Sequence, residues 1–91
     1  MNETTPARIE RLLRERFAPA HFELHDDSEK HAGHPGATSG GGHYSLVIVS
    51  STFEGLSRLE RHRLVYAELE PLIGAEIHAL AIRTVATSEW P

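Results

Sequence analysis

The chain has 91 residues, a formal net charge of −4 and no cysteine. This length fits a single domain over residues 1–91 and excludes a second one. Without cysteine, any iron or zinc must be bound through histidine, carboxylate or a sulfur from another molecule. The negative charge argues against a general affinity for nucleic acid, because that affinity comes from Lys and Arg at the phosphates.

No apolar run in the sequence approaches the roughly 20 residues needed to cross a bilayer. Residues 1–5 lack the basic and then apolar order of a secretory signal. We therefore expect a soluble cytoplasmic protein that makes no contact with membranes.

The first predicted element is a helix. Thr5 provides an N-cap hydroxyl, and Pro6 takes the first helical position, where its missing N–H costs nothing. The helix is expected to end before Pro19. Its apolar positions recur at helical spacing, at Ile9, Leu12, Leu13 and Phe17.

Residues 21–26 alternate polar and apolar side chains, which predicts a half-buried strand. Phe22 and Leu24 should point inward, and His21 and His25 should face solvent. Residues 27–42 contain mainly turn-forming residue types and no periodicity. A long loop inside a compact domain is often functional, so this loop is the first place to look for a site.

Residues 43–50 are apolar on both faces, which indicates an interior strand. Ser57 and Glu60 then form a capping box that starts a second helix, and Pro71 should end or kink this helix near Leu69. His62 falls in the middle of the apolar stripe of the helix, which predicts a core histidine satisfied by hydrogen bonds. The stripe consists of Leu59, Val65, Tyr66, Leu69 and Leu72.

Residues 76–85 are nearly continuous in apolarity, which favours a strand buried beside others. In the short tail, Thr87 could cap one helical turn that places Trp90 on the body of the domain. The predicted fold is α+β, in the order α-β-β-α-β with a short C-terminal turn. Its helices should pack on one face of a three-stranded mixed sheet.

Four histidines are expected at one rim of this sheet. If the second and third strands pair in parallel, His43 and His78 open neighbouring strands at the same end, and the loop with His31 and His34 runs into that end. Imidazole binds zinc, copper, nickel and iron, so the convergence predicts a metal site. Spacing alone leaves open that these are ordinary loop and strand-end residues.

The sequence contains no recognisable catalytic arrangement, and we expect no enzymatic activity. Its serines lack the context of a nucleophile elbow, and the glycines at 40–42 precede a strand, whereas a phosphate cradle precedes a helix. Arg61 and Arg63 flank His62 and could anchor the helix to the sheet or face a partner. With Arg58 they form a small basic patch at the start of the second helix.

Six ordered motifs resemble the BolA family over nearly the whole chain. They are DSEKHAGH at 27–34, HY at 43–44, VSSTFEG at 49–55, RHRLVY at 61–66, IHALAI at 77–82 and EW at 89–90. The resemblance implies a fold similar to class II KH domains, in agreement with the predicted order of elements. It also implies partnership with a monothiol glutaredoxin, with which members of the family share a [2Fe-2S] cluster.

The resemblance implies particular ligands for that cluster. His78 corresponds to the histidine of the family's Ile-His-Ala-Leu motif and ranks first, His31 in the loop ranks second, and the nearby His34 ranks third. The partner's cysteine and glutathione would supply the remaining ligands, so no cluster is expected in the isolated chain. His43 is expected either to pack at the end of its strand or to support the ligands without binding the metal.

The alternative function is a DNA-binding transcriptional regulator, a role that the resemblance also implies. Arg58, Arg61 and Arg63 would then contact phosphates. The sequence leaves open which glutaredoxin binds, in which direction a cluster moves, and whether the free chain forms a homodimer.

Overall fold

The computed structural model describes residues 3–27 and 42–91. The helices are α1 (Thr5–Phe17) and α2 (Arg58–Leu69), and the strands are β1 (His21–Asp26), β2 (Gly42–Val49) and β3 (Ile77–Val85). Short 3-10 turns cover Ser51–Phe53, Glu70–Leu72 and Thr87–Glu89. The predicted order α-β-β-α-β with a C-terminal turn is therefore confirmed.

The three strands form one mixed sheet in the order β1-β2-β3. β1 runs antiparallel to β2, with Leu24 opposite Leu46, and β2 runs parallel to β3, with Leu46 opposite Ile82. The interior position predicted for residues 43–50 is confirmed, because β2 pairs on both sides.

The prediction that residues 76–85 form a strand buried beside others is wrong, since β2 is the only strand that pairs with β3 among the described residues. The side chains of Leu80 and Ile82 are partly buried against the core, whereas those of Ala79 and Ala81 are exposed. Alanine is small enough to be exposed at little cost, so an edge strand with alternating alanines has the composition of a buried one.

The hydrophobic core lies between the helices and one face of the sheet. Phe22 and Leu24 of β1 pack against this core, as predicted from their alternation. The rings of Phe17 and Phe53 lie 5.2 Å apart between centroids and close one end of it. The most deeply buried side chains include Ile9, Leu13, Ile48, Val65, Leu69 and Leu72.

The first helix begins one residue before the predicted position. The Thr4 hydroxyl accepts a hydrogen bond from the Ala7 N–H at 3.2 Å and is the N-cap. The Thr5 hydroxyl instead donates to the Glu76 carboxylate at 2.8 Å, which ties α1 to the chain just before β3. Either threonine could cap the helix by residue type. The contact between Thr5 and Glu76 decides which of the two does so. The helix ends at Phe17, before Pro19, as predicted.

The predicted capping box of α2 is present, with reciprocal hydrogen bonds between Ser57 and Glu60. The helix stops at Leu69, and Pro71 lies in the following 3-10 turn, as predicted.

The predicted apolar stripe of α2 is wrong at Leu59 and Tyr66, which are 59% and 38% exposed. The Tyr66 side chain leaves the core because its hydroxyl donates to the Leu80 carbonyl at 3.0 Å.

The C-terminal turn places Trp90 on the body of the domain, as expected. Its indole stacks on the His21 imidazole, with centroids 4.7 Å apart, so His21 is less solvent-exposed than predicted. The predicted cap is wrong in detail: the turn's N-cap is Ala86, whose N–H donates to the Glu89 carboxylate at 2.8 Å.

No helix in the described ranges is long and apolar enough to cross a membrane.

Ser50 joins the end of β2 to the end of α1. It is 1% exposed, and its hydroxyl donates to the Phe17 carbonyl at 2.7 Å. The same oxygen accepts from the Thr52 N–H at 3.2 Å and caps the turn that follows. One buried hydroxyl thus satisfies a backbone group at each of two element ends.

Replacing Ser50 with alanine should destabilise the fold by about 1–3 kcal/mol, because the buried Phe17 carbonyl loses its partner. Denaturant unfolding measures this change. The exposed neighbour Ser51 provides the control, since Ser51→Ala should change the free energy of unfolding by less than about 0.5 kcal/mol. Equal stabilities for the two variants would contradict the role assigned to the Ser50 hydroxyl.

Candidate functional site

The first candidate site lies where β2 and β3 begin. The rings of His43 and His78 lie 5.1 Å apart between centroids, at an angle of 39°. Parallel pairing brings them together, because it places the first residues of both strands at the same end of the sheet. The predicted convergence is therefore confirmed for these two histidines. The side chain of His43 is half-buried, and His78 is exposed.

An irregularity in the strand pairing singles out His78. The register changes from Gly42 opposite Ile77 to His43 opposite Ala79, so His78 is the extra residue on β3. Such bulges interrupt the ladder and redirect the side chain of the extra residue. The register shift therefore accompanies the exposure of the His78 imidazole at the rim.

The predicted loop histidines, His31 and His34, lie outside the described residues. The two described ends of that segment meet beside His43: the Asp27 N–H donates to the His43 carbonyl at 2.7 Å, and the Gly42 N–H donates to the Glu76 carbonyl at 2.8 Å. Asp27 and Gly42, the described residues on either side of 28–41, therefore both lie at the rim that carries the two strand histidines. A role for His31 or His34 in metal binding stays a prediction.

Side chains of α1 fix the approach to β3. The Glu76 carboxylate accepts from the Thr5 hydroxyl and also forms an ion pair with Arg8. Because Glu76 lies two residues before His78, these contacts hold the backbone that carries the imidazole. The His78 imidazole is therefore an exposed nitrogen donor on a strand that these contacts hold in place. Such a donor suits a metal site in which the ligand must be positioned before the metal binds.

The described residues do not complete a metal site by themselves. No group of three or more His, Asp or Glu side chains in the ranges 3–27 and 42–91 is arranged to hold an ion. His43 and His78 could contribute at most two nitrogen ligands. Further ligands would have to come from residues 28–41 or from another molecule.

The second candidate site is the basic patch at the start of α2. Arg58 and Arg63 are exposed, whereas the Arg61 side chain is only 11% exposed. Arg61 donates to the Leu56 carbonyl at 3.0 Å and to the Glu89 carboxylate at 2.8 and 3.0 Å. It therefore anchors the helix to the C-terminal turn, a contact that was not predicted. An Arg61 nitrogen also lies 3.5 Å from the Thr84 carbonyl of β3, on the side of the predicted anchor to the sheet. A phosphate contact for any of the three arginines stays a prediction.

A groove of about 600 Å³ lies beside this patch, lined by Leu56, Arg58, Arg61, His62, Ile82, Arg83, Thr84 and Glu89. His62 lines it half-buried, so the predicted core position of this histidine is wrong. Burial and then the charge of Arg58 lower the pKa of His62. Sequence reasoning overlooked Arg83, although a lone charge in an apolar strand was a visible signal.

The architecture is now defined: two helices cover one face of a three-stranded mixed sheet in an α+β domain of the class II KH-like kind. The chain belongs to the BolA-like protein family, whose family model matches residues 13–89.

Among curated relatives, human BolA-like protein 1 is 43% identical over 84 residues, which cover 92% of this chain and 59% of that protein. The chain thus spans about three fifths of the length of that relative. The Escherichia coli protein named DNA-binding transcriptional regulator BolA is 39% identical over 83 residues, covering 91% of this chain and 76% of the relative.

Solved structures give the same answer for the fold. BolA1 from Arabidopsis thaliana superimposes with a TM-score of 0.86 at 34% identity, and all of both chains is covered. The BolA domain of SufE1 from the same plant gives a TM-score of 0.81 at 36% identity, covering 98% of this chain and 99% of that one.

The contact between Arg61 and Glu89 should make stability depend on pH. The hydrogen bonds from the Arg61 guanidinium, with a further one from the Ala86 N–H, lower the pKa of Glu89 to about 2. A carboxyl group whose pKa is lower in the folded chain than in the unfolded chain stabilises the fold above its unfolded pKa. That contribution is lost as the pH falls through its folded pKa.

We therefore expect Glu89→Gln to reduce the unfolding midpoint at pH 7. The difference from the parent chain should shrink as the pH falls from about 5 towards 2. Thermal unfolding across this range measures it. A difference that stays constant down to pH 2 would contradict the lowered pKa of Glu89.

Proposed function

We propose that this protein is a non-catalytic adaptor that binds a monothiol glutaredoxin and shares a [2Fe-2S] cluster with it through histidine ligands. The observation that carries the proposal is the exposed His78 imidazole, which opens β3 beside His43. Membership of the BolA-like family supports it, because the resemblance implies this partnership.

The donor set of the chain fits such a shared cluster. The sequence has no cysteine, so sulfur ligands must come from elsewhere, namely the partner's cysteine and glutathione. Imidazole is an accepted iron ligand in clusters of mixed His and Cys ligation. His78 is the leading ligand in this proposal, followed by His31 and then by His34.

The other residues of the rim act on the position of His78. The contacts of Thr5 and Arg8 with Glu76 hold the chain just before the strand. The His43 ring packs against the His78 ring and restricts its orientation. His43 is therefore a positioning residue in this proposal.

Mixing the protein with a cluster-loaded monothiol glutaredoxin should change the visible absorption and circular dichroism spectra of the cluster. His78→Ala should abolish that change, because the leading ligand is lost. His21→Ala is the matched control, since His21 pairs with Val49 at the opposite end of the sheet and should leave the change intact.

His43→Ala separates positioning from ligation. It should alter the shape of the dichroism spectrum while retaining the absorption change that His78→Ala removes. Unchanged spectra on mixing, or an equal response from the His78→Ala and His21→Ala variants, would overturn the proposed function.

A second candidate is a DNA-binding regulator, which the name of the Escherichia coli relative favours. Arg58 and Arg63 are the exposed cations at the start of α2 that could meet phosphates. The negative net charge of the chain restricts this function to a local patch.

If this second function is correct, the affinity for a DNA duplex should fall steeply with salt, and Arg63→Ala should reduce the slope of log affinity against log salt by about 1. Arg14→Ala makes the same change of charge on α1 and should leave the slope unaltered. Fluorescence anisotropy across a salt series measures both. A slope near zero for the parent chain would exclude phosphate contacts.

Two further expectations from the sequence remain proposals: a cytoplasmic location and a homodimer of the free chain. Sedimentation at several concentrations measures self-association directly.

A further inference from the structure

The outer edge of β3 has backbone groups without a strand partner. In the described part of the chain, β2 is the only strand that pairs with β3, apart from an isolated bridge between Ile77 and Ile73 at the start of β3. The Val85 carbonyl faces β2, where it accepts from the Ser50 N–H. Because backbone groups alternate along a strand, those of Leu80, Ile82 and Thr84 point to the opposite edge. That edge faces away from the rest of the sheet.

Side chains of α2 bond to part of this edge and leave its centre open. The Tyr66 hydroxyl donates to the Leu80 carbonyl at 3.0 Å, and an Arg61 nitrogen lies 3.5 Å from the Thr84 carbonyl. Ile82 lies midway between them, and among the described residues nothing bonds to its outward N–H and C=O. One donor and one acceptor of a strand are therefore free at this point.

The groove beside the patch follows the same edge. Its wall on the β3 side consists of three consecutive residues, Ile82, Arg83 and Thr84. Successive side chains of a strand point to opposite faces, so a cavity that touches three in a row runs along the edge and not across one face. The start of α2 forms the facing wall of the groove.

The groove carries an excess of positive charge. Three arginines and one glutamate line it, and that glutamate pairs with Arg61. Arg58 and Arg83 form no ion pair within residues 3–27 and 42–91, so their charges face the groove uncompensated, although the whole chain has a net charge of −4. Burial lowers the pKa of His62, and the charge of Arg58 lowers it further.

We propose that this groove binds an extended acidic segment of a partner protein, which adds to the edge of β3 as a fourth strand. The free N–H and C=O of Ile82 would pair with the backbone of the segment, and Arg58 and Arg83 would attract its carboxylates. The edge from Leu80 to Thr84 spans about 13 Å, enough for four or five residues.

The interaction can be measured with a fluorescein-labelled peptide of six residues in which glutamate and valine alternate. Its anisotropy should rise to saturation when the full chain is added at low salt. The same peptide N-methylated at alternate backbone nitrogens, prepared in both registers, should bind about tenfold more weakly in one register, because a ladder hydrogen bond is lost. Equal binding by the parent and both methylated peptides would overturn strand addition.

A matched pair of variants tests the charge. Arg83→Glu should weaken binding of the peptide about fivefold or more, whereas Arg63→Glu, an equal change at an exposed residue that does not line the groove, should leave it nearly unchanged. Thermal unfolding of both variants establishes that they fold. Equal losses would show that the peptide responds only to overall charge and would overturn the assignment to this groove.

The amide resonance of Ile82 gives a direct readout. It should shift on peptide addition in the parent chain and remain in place with the methylated peptide that binds weakly. A shift restricted to amides outside residues 80–84 would place the peptide elsewhere and contradict the proposal. Displacement of the peptide by a DNA duplex, with no sensitivity to backbone methylation, would assign the groove to nucleic acid.

Discussion

β2 and β3 run parallel, and a parallel pair requires a connection that carries the chain back to the end at which the first strand began. The Ser51–Phe53 turn, α2 and the Glu70–Leu72 turn provide that connection. Two features of the molecule depend on this arrangement. The strand starts meet, which brings His43 and His78 together, and the crossover helix passes the outer edge of β3, which forms the basic groove.

A small domain has a small hydrophobic core to hold these elements in place. Here polar ties, meaning side-chain hydrogen bonds at the ends of the elements, add to the stabilisation that the core provides. Ser50 joins α1 to the turn after β2, Glu76 joins α1 to the start of β3, and Glu89 joins α2 to the C-terminal turn. The last two ties flank β3 at its two ends. They fix the strand that carries both the candidate metal ligand and the edge of the groove.

Local signals predicted most of the fold. Capping residues, prolines and the alternation of residues 21–26 located the elements, because each signal depends on neighbouring residues alone. Failures arose where a distant contact decided the outcome. The Thr5 hydroxyl donates to the Glu76 carboxylate, and Thr4 is therefore the N-cap of α1. The Tyr66 hydroxyl donates to the Leu80 carbonyl of β3, and its ring does not pack in the core. Periodicity contains no information about such long-range hydrogen bonds.

The candidate site was predictable to the extent that it follows from topology. Parallel pairing, inferred from the order of elements, was sufficient to place His43 beside His78. The sequence could not predict the register shift that leaves His78 as the extra residue of β3, because this shift depends on how β3 pairs with β2. It could not predict the groove either, because the groove depends on how α2 lies beside β3. Composition also concealed the edge position of β3, because its exposed alanines have the same apolar character as buried residues.

The two candidate sites share one strand but use different parts of it. His78 lies at the beginning of β3, and the centre of the free edge is Ile82, four residues or about 13 Å further along. A ligand at the rim would bind an imidazole, whereas a segment in the groove would bind backbone groups and arginines. No described residue is required by both sites, so a partner at one end of β3 leaves the donors at the other end in place. The two proposals therefore place no competing demand on β3, which would be the common support of both sites.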